Sequence, residues 1–137
     1  MKKLLMTMAI AGTTLAAVAA PAANADNPFF HEKEWKTPHG TYPFNEIRPE
    51  HYMPAFEEGM RQGLAEIDAI VNNPEAPTYK NTIEAYEKSG HLLSLVAGCF
   101  YNLTNSDTNE TLDSIETALT PKMSEYSANI RLNEGLF

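Results

Sequence analysis

The chain has 137 residues, with 18 acidic and 10 basic side chains, and a formal net charge of −8 at pH 7. Phosphate backbones and anionic lipid surfaces repel such a chain, so nucleic acid and membrane surfaces are excluded as natural partners. The single cysteine, Cys99, excludes an internal disulfide, and its apolar neighbours predict a small buried hydrophobe.

Residues 1–25 have the pattern of an export signal. Lys2 and Lys3 precede an uncharged, mostly apolar run, and Ala23-Asn24-Ala25 matches a signal peptidase site. We expect cleavage after Ala25, which takes the formal charge from −8 to −10, because two lysines and no acid are removed. Cleavage after Ala20 and an uncleaved anchor are the alternatives. The expected location is periplasmic or secreted, with no membrane contact after cleavage.

Residues 26–48 are predicted to form an extended arm. Prolines interrupt regular structure, and exposed aromatic rings are costly in water, so we expect the arm to lie across a surface of its own domain or of a partner. The residues concerned are Pro28, Pro38 and Pro43 among Phe29, Phe30, Trp35, Tyr42 and Phe44.

A first helix is predicted over about residues 50–72. Apolar residues recur there at spacings of three and four, which places them on one helical face. They are Met53, Phe56, Met60, Leu64, Ile67 and Val71. Pro54 suits the first turn, and Asn72-Asn73-Pro74 ends the helix. A wet opposite face is expected to carry His51, Glu58, Gln62 and Glu66.

Two further helices and the start of a fourth are predicted. The second covers about 80–104, with an apolar stripe that includes Gly90, for which close approach of another helix is the expected reason. The third covers about 108–130, capped by Asp107 or Thr108 and kinked near residues 117–121 by Pro121. Its stripe is Leu112, Ile115, Leu119, Met123, Tyr126 and Ile130.

The last residues predict that the helical region 49–137 is incomplete. Asn133 can cap a fourth helix that begins Glu-Gly-Leu-Phe, and Leu136 and Phe137 end the chain apolar. Because domains normally finish on polar residues, we expect this chain to be the front of a longer protein.

The segment His31-Glu32-Lys33-Glu34-Trp35 begins like the zinc-binding signature H-E-x-x-H but has Trp35 where the second histidine belongs. That signature requires a helix, on which two histidines four residues apart share a face. The neighbouring prolines favour an extended or turning segment instead. We therefore expect Trp35 to anchor the arm, with His31, Glu32 and Glu34 in solvent.

Other catalytic patterns are absent from the sequence. It has no glycine-rich phosphate loop, no G-x-S-x-G, no Cys-x-x-Cys and no H-E-x-x-H, and its four histidines are scattered. We expect His39 to be a turn residue, and surface or core roles for His31, His51 and His91. The residues alone predict an exported, acidic, all-α segment with no catalytic residue and no metal ligand. Substrate-binding residues are unknown.

Several strings, in this order and spacing, resemble one family. They are NPFF, IRPEHYMPAFEEGM, AEIDAIVNNPEAPT, NTIEAYEKSG, FYNLTNSDTNETL and IRLNEGLF, and they cover essentially all of residues 27–137. The chain resembles the N-terminal region of zinc metallopeptidases of the thimet oligopeptidase and peptidyl-dipeptidase group, most closely the bacterial peptidyl-dipeptidases, also called dipeptidyl carboxypeptidases.

The resemblance implies an almost wholly helical, two-lobed enzyme, of which this chain belongs to the lobe that narrows the substrate channel. It implies zinc as the cofactor, bound by residues downstream of this chain, and short peptides as substrates that lose C-terminal dipeptides. The partner of this region would be the catalytic lobe of the same polypeptide, and the region alone would be inactive.

Three other hypotheses stay open at this point. The whole protein could be an oligopeptidase of the same family that cuts peptides internally. The chain could be a non-catalytic exported helical binding module. The arm from His31 to His39 could capture a metal ion by itself.

Overall fold

A computed structural model describes residues 26–136, and this part of the chain is all-α, as the sequence predicts. No strand occurs among these residues, and none of their helices has the length and apolarity needed to cross a membrane. The α-helices are α1 (Pro49–Val71), α2 (Ala85–Lys88), α3 (His91–Asp107) and α4 (Glu110–Arg131). Two 3-10 helices (Pro28–Glu34 and Pro38–Gly40) precede α1, and a π-helix (Tyr79–Glu84) leads into α2. The predicted signal at 1–25 lies outside the described residues.

Helix α1 is the central element because it packs against both α3 and α4. Pro49 occupies its first turn, where a proline loses no hydrogen bond, so the prediction of Pro54 in that turn is wrong and Pro54 lies inside the helix. Of the predicted stripe, Phe56, Met60 and Ile67 are buried. The buried face also includes residues outside that stripe, namely Tyr52, Ala55, Gly59 and Gly63.

The core is a set of aromatic rings between α1 and α3. The Phe100 ring lies edge-on to Phe56 at 5.5 Å and to Tyr52 at 5.0 Å between ring centroids. Aromatic rings favour such edge-to-face pairs because the positive ring edge meets the negative ring face. Cys99 is fully buried beside them, which confirms its prediction as a small core residue.

The prediction of a single helix over 80–104 is wrong, because the helix is interrupted at Ser89-Gly90. Gly90 has a φ of +70°, a left-handed conformation that side-chain-bearing residues rarely adopt. A Cβ at this position would meet only the Tyr126 hydroxyl, at 3.4 Å, so close approach of another helix is not the reason for the glycine. The break turns the chain from α2 into α3.

Helix α4 begins two residues later than predicted. Its cap is Asn109, whose side-chain oxygen accepts hydrogen bonds from the N–H groups of Thr111 and Leu112, both at 3.1 Å. The predicted caps, Asp107 and Thr108, are therefore wrong. Leu112 and Leu119 of the predicted stripe are buried, and α4 runs through Pro121 as one element.

A turn follows α4 where the sequence predicts a fourth helix. The Asn133 side-chain oxygen accepts a hydrogen bond from the Gly135 N–H at 3.0 Å, and the Leu136 N–H donates to the Asn133 carbonyl at 3.1 Å. Residues 134–136 therefore form a turn initiated by Asn133. Phe137 lies outside the described residues.

The arm at 26–48 is more ordered than predicted, since its first part is 3-10 helical rather than extended. Asn27 begins this helix: its side-chain oxygen accepts from the Phe29 N–H at 3.2 Å, and its amide donates to the His51 carbonyl at 2.8 Å. Phe29 is buried, and its ring lies 5.6 Å from that of Tyr52. The arm thus packs on its own helices.

Candidate functional site

A cleft lies between the 3-10 helix Pro28–Glu34, the middle of α1 and the first turn of α3. Its volume is about 670 Å³. Buried or partly buried apolar side chains meet a rim of charged groups in this cleft. The lining residues are Phe29, Phe30, His31, Glu32, Lys33, Glu34, Glu58, Gln62, His91 and Leu92.

The α1 side of the cleft carries a fixed carboxylate. Glu58 accepts hydrogen bonds from Arg61 Nε at 2.8 Å and Nη2 at 2.6 Å, and from Gln62 Nε2 at 2.8 Å. The bonds from Arg61 hold the pKa of Glu58 below its usual value, and partial burial opposes this effect. Glu58 is therefore an ionised acceptor with its partners already in place. It is unsuited to give or take a proton near neutral pH.

A second polar contact closes the cleft between the arm and α3. His91 Nε2 lies 2.8 Å from Glu32 Oε2, although the two residues are far apart in sequence. Both side chains are substantially exposed, so this contact contributes little stability. The contact connects the 3-10 helix to the first turn of α3 at the edge of the cleft.

The segment from His31 to Trp35 differs from its predicted conformation. Its first four residues are 3-10 helical, with an irregular backbone at His31 (φ −118°, ψ 31°), whereas an extended or turning segment was expected. His31 Nδ1 lies 3.6 Å from Glu34 Oε1. Trp35 is the aromatic anchor that the sequence predicts: its indole N–H donates to the Pro28 carbonyl at 2.9 Å, and its ring lies 5.8 Å from Tyr42.

The remaining histidines have local structural positions. His39 occupies a turn with a φ of 58°, as predicted, and His51 Nδ1 accepts a hydrogen bond from the Arg48 N–H at 3.0 Å at the start of α1. Within residues 26–136, no group of three His, Cys, Asp or Glu side chains is arranged to hold a metal ion. The donor set of the described residues therefore does not fit a zinc site.

Sequence reasoning missed two glycines that position the cleft. A Cβ on Gly59 would lie 2.9 Å from both the Cα and N of Leu93, and a Cβ on Gly63 would collide with the Tyr126 hydroxyl. These glycines let α3 and α4 approach α1 closely, which sets Glu58 and Gln62 opposite the start of α3. In the sequence, the only indication of this packing role was the four-residue spacing of the two glycines on α1.

Glu66 and Asn27 were also missed as structural residues. The Glu66 carboxylate accepts a hydrogen bond from the Gly90 N–H at 2.7 Å, at the start of α3, where the helix dipole favours negative charge. The sequence placed Glu66 on a wet face, because the periodicity of one helix does not show which loop passes beside it. Asn27 is fully buried, and nothing in its local sequence signals this.

The chain is similar to two bacterial dipeptidyl carboxypeptidases. The dipeptidyl carboxypeptidase of Salmonella typhimurium strain LT2 is 45% identical over 94 residues, which cover 69% of this chain and 14% of that protein. The dipeptidyl carboxypeptidase of Escherichia coli strain K12 is 40% identical over 113 residues, covering 81% of this chain and 16% of that protein. No protein-family model matches the chain.

Fold and cleft together define an all-α helical region with no metal centre among residues 26–136. Sequence identity of 40–45% over 69–81% of the chain shows that this region is related to the bacterial dipeptidyl carboxypeptidases. This relationship confirms the resemblance drawn from the sequence. The chain spans about one seventh of the length of these relatives.

Proposed function

We propose that this chain is the non-catalytic N-terminal region of an exported zinc peptidyl-dipeptidase, which releases C-terminal dipeptides from short peptides. The observation that carries the proposal is the 40–45% identity to two proteins named dipeptidyl carboxypeptidase. The export-signal pattern of residues 1–25, with its basic start, apolar run and Ala23-Asn24-Ala25, supports a periplasmic or secreted location.

The chain's own contribution is structural in this proposal. The aromatic core fixes α1 against α3, and the arm closes over both, so the region offers a rigid helical wall. Such a wall suits a lobe that narrows access to a substrate channel. The donor set of residues 26–136 does not fit a metal, so in this proposal zinc and the groups that act on the scissile bond come from other parts of the polypeptide, downstream of this chain as the family resemblance implies.

Product analysis of the whole polypeptide tests the proposal. An octapeptide with a blocked amino terminus is incubated with the protein, and the products are identified by mass spectrometry over time. We expect successive loss of two residues from the carboxyl end, and no cleavage when the carboxyl terminus is amidated.

Each other outcome has a defined meaning. Internal cleavage that ignores the carboxyl terminus would support an oligopeptidase instead. Absence of any hydrolysis by a folded, zinc-loaded polypeptide would contradict the peptidase assignment and leave the helical binding module. Loss of hydrolysis on chelation, with recovery on adding zinc, tests the cofactor separately.

A further inference from the structure

The helical segment from Tyr79 to Tyr86 carries three large apolar side chains that face solvent. Tyr79 is 75% exposed, Ile83 50% and Tyr86 40%. Their spacing of four and then three residues places them on one side of the segment. Scattered apolar residues are normal on protein surfaces, but three on one side form a patch that needs an explanation. We call these three residues the Tyr79 patch.

The Tyr86 end of the patch borders α4. A groove beside Tyr86 is lined on the α4 side by Tyr126 and Ile130 together with the polar side chains of Ser127 and Arg131. Tyr126 is held from behind, since its hydroxyl lies against Gly63 of α1 and near Gly90. Tyr86 therefore lies beside a groove of mixed apolar and polar lining on α4, and Tyr79 and Ile83 lie outside that groove.

The backbone beneath the patch is fixed before any partner arrives. Thr78 and Asn81 form a reciprocal cap, with the Thr78 N–H donating to Asn81 Oδ1 at 2.6 Å and the Asn81 N–H donating to Thr78 Oγ1 at 3.1 Å. The Asn81 amide also donates to the Ala76 carbonyl at 3.0 Å. A surface that is ordered in advance loses less entropy when it docks.

The exposed area of the patch decides which kind of partner fits. Large aromatic side chains bury roughly 150–250 Å² each, so the exposed fractions of Tyr79 and Tyr86, together with that of the smaller Ile83, offer on the order of 300 Å². A stable interface between separate molecules needs about 800 Å² from each partner. A second copy of the chain would therefore hold weakly, whereas a covalently linked partner binds at a high effective concentration.

We propose that the Tyr79 patch packs against an apolar helical surface from the remainder of the same polypeptide. This inference rests on the proposed function, in which the chain is one part of a longer peptidase. A longer polypeptide is consistent with the two relatives, since the stretch that aligns with this chain covers only 14–16% of their length. The partner surface must also provide acceptors for the Tyr79 and Tyr86 hydroxyls, since buried phenols keep a hydrogen bond.

Hydroxyl-radical footprinting of the whole polypeptide tests the interface directly. Mass spectrometry reports the oxidation rate of Tyr79 and Tyr86 in the folded protein and in the same protein unfolded in urea. We expect oxidation of Tyr79, which is 75% exposed when no other part of the protein covers it, to slow several-fold on folding at every protein concentration. Near-equal rates would overturn the proposal, and so would protection that appears only at concentrations where size-exclusion chromatography shows a dimer.

A matched pair of variants provides a second measurement. Tyr79→Ser should lower the melting temperature of the whole polypeptide, whereas the neighbouring Lys80→Ser should not. An exposed Tyr79 would make both variants melt like wild type, which would contradict the interface. Neither measurement uses peptide hydrolysis, so an exposed patch on an active dipeptidase refutes only the interface, and a covered patch on an inactive protein refutes only the proposed activity.

Discussion

Substituting Gly59 by alanine should destabilise the contact between α1 and α3. The added Cβ would lie 2.9 Å from the Cα and the N of Leu93, and 3.2 Å from its Cβ. The first two atoms belong to the backbone of α3 and cannot rotate away. Relief therefore requires the two helices to separate, which would also loosen the ring contacts of Phe100.

The expected magnitude is the difference between two effects. Forcing an extra carbon into a packed core costs about 1–3 kcal/mol, and a clash with backbone belongs in the upper part of that range. Alanine recovers about 1 kcal/mol of intrinsic helix propensity relative to glycine. We expect a net loss of about 1–2 kcal/mol in the free energy of unfolding.

Gly98→Ala is the matched control, since it makes the same substitution inside α3. Its Cβ would meet the Tyr42 hydroxyl at 2.7 Å, which is the far end of a side chain that can shift. We expect this variant to stay within about 1 kcal/mol of wild type, because the propensity gain offsets the displacement. Urea denaturation and hydrogen exchange of the α1 amides measure both variants. A Gly59→Ala protein at least as stable as wild type would refute the packing argument.

Three further predictions concern single side chains. Trp35→Ala should lower the free energy of unfolding by about 1–3 kcal/mol, because the indole packing and its bond to Pro28 are lost, and thermal melting measures this. Asn109→Ala should cost about 1 kcal/mol, measured in the same way, because the cap of α4 is removed. Burial raises the pKa of the Cys99 thiol, so stability should fall as pH rises above about 9.0, where the unfolded thiol ionises but the folded one does not.

Each of these predictions has a control. Trp35→Ala melting like wild type would show that the arm is not anchored by the indole. Asn109→Ser should keep most of the stability lost in Asn109→Ala, since serine also caps helices. Cys99→Ala should flatten the pH dependence near pH 9.0, and an unchanged slope would assign it to other groups.

The apolar periodicity predicted the helices well, because a repeat of three and four residues reports directly which side of a helix is buried. It placed α1 and α4 within two residues of their observed starts and ends. The periodicity failed at Gly90, because the apolar pattern of the sequence continues through the turn that separates α2 from α3. The sequence analysis explained Gly90 by close helix packing, whereas the structure shows that a glycine is needed there because φ is positive.

The arm shows a different limit of sequence reasoning. Its prolines correctly excluded a long α-helix, and Trp35 was correctly assigned as an anchor. The 3-10 helix at Pro28–Glu34 depends on the Asn27 amide reaching the His51 carbonyl, a contact between segments far apart in sequence. Local propensity contains no information about such a partner.

The cleft could not be predicted for the same reason. Its walls come from three separate elements, and Glu32 and His91 meet only because the fold brings them together. Resemblance to a family placed the chain among peptidases but assigned no residue of it a catalytic role.

In the proposed peptidase, this chain contributes to the structure and provides no catalytic group. The most direct measurement is the kcat of the whole polypeptide for C-terminal dipeptide release in three variants, His31→Ala, Glu58→Gln and His91→Ala, each checked for an unchanged melting temperature. We expect kcat within about twofold of wild type in all three. Because a general acid or base contributes about 10²–10⁴-fold to a rate, a loss of about 100-fold or more in a fully folded variant would contradict the claim.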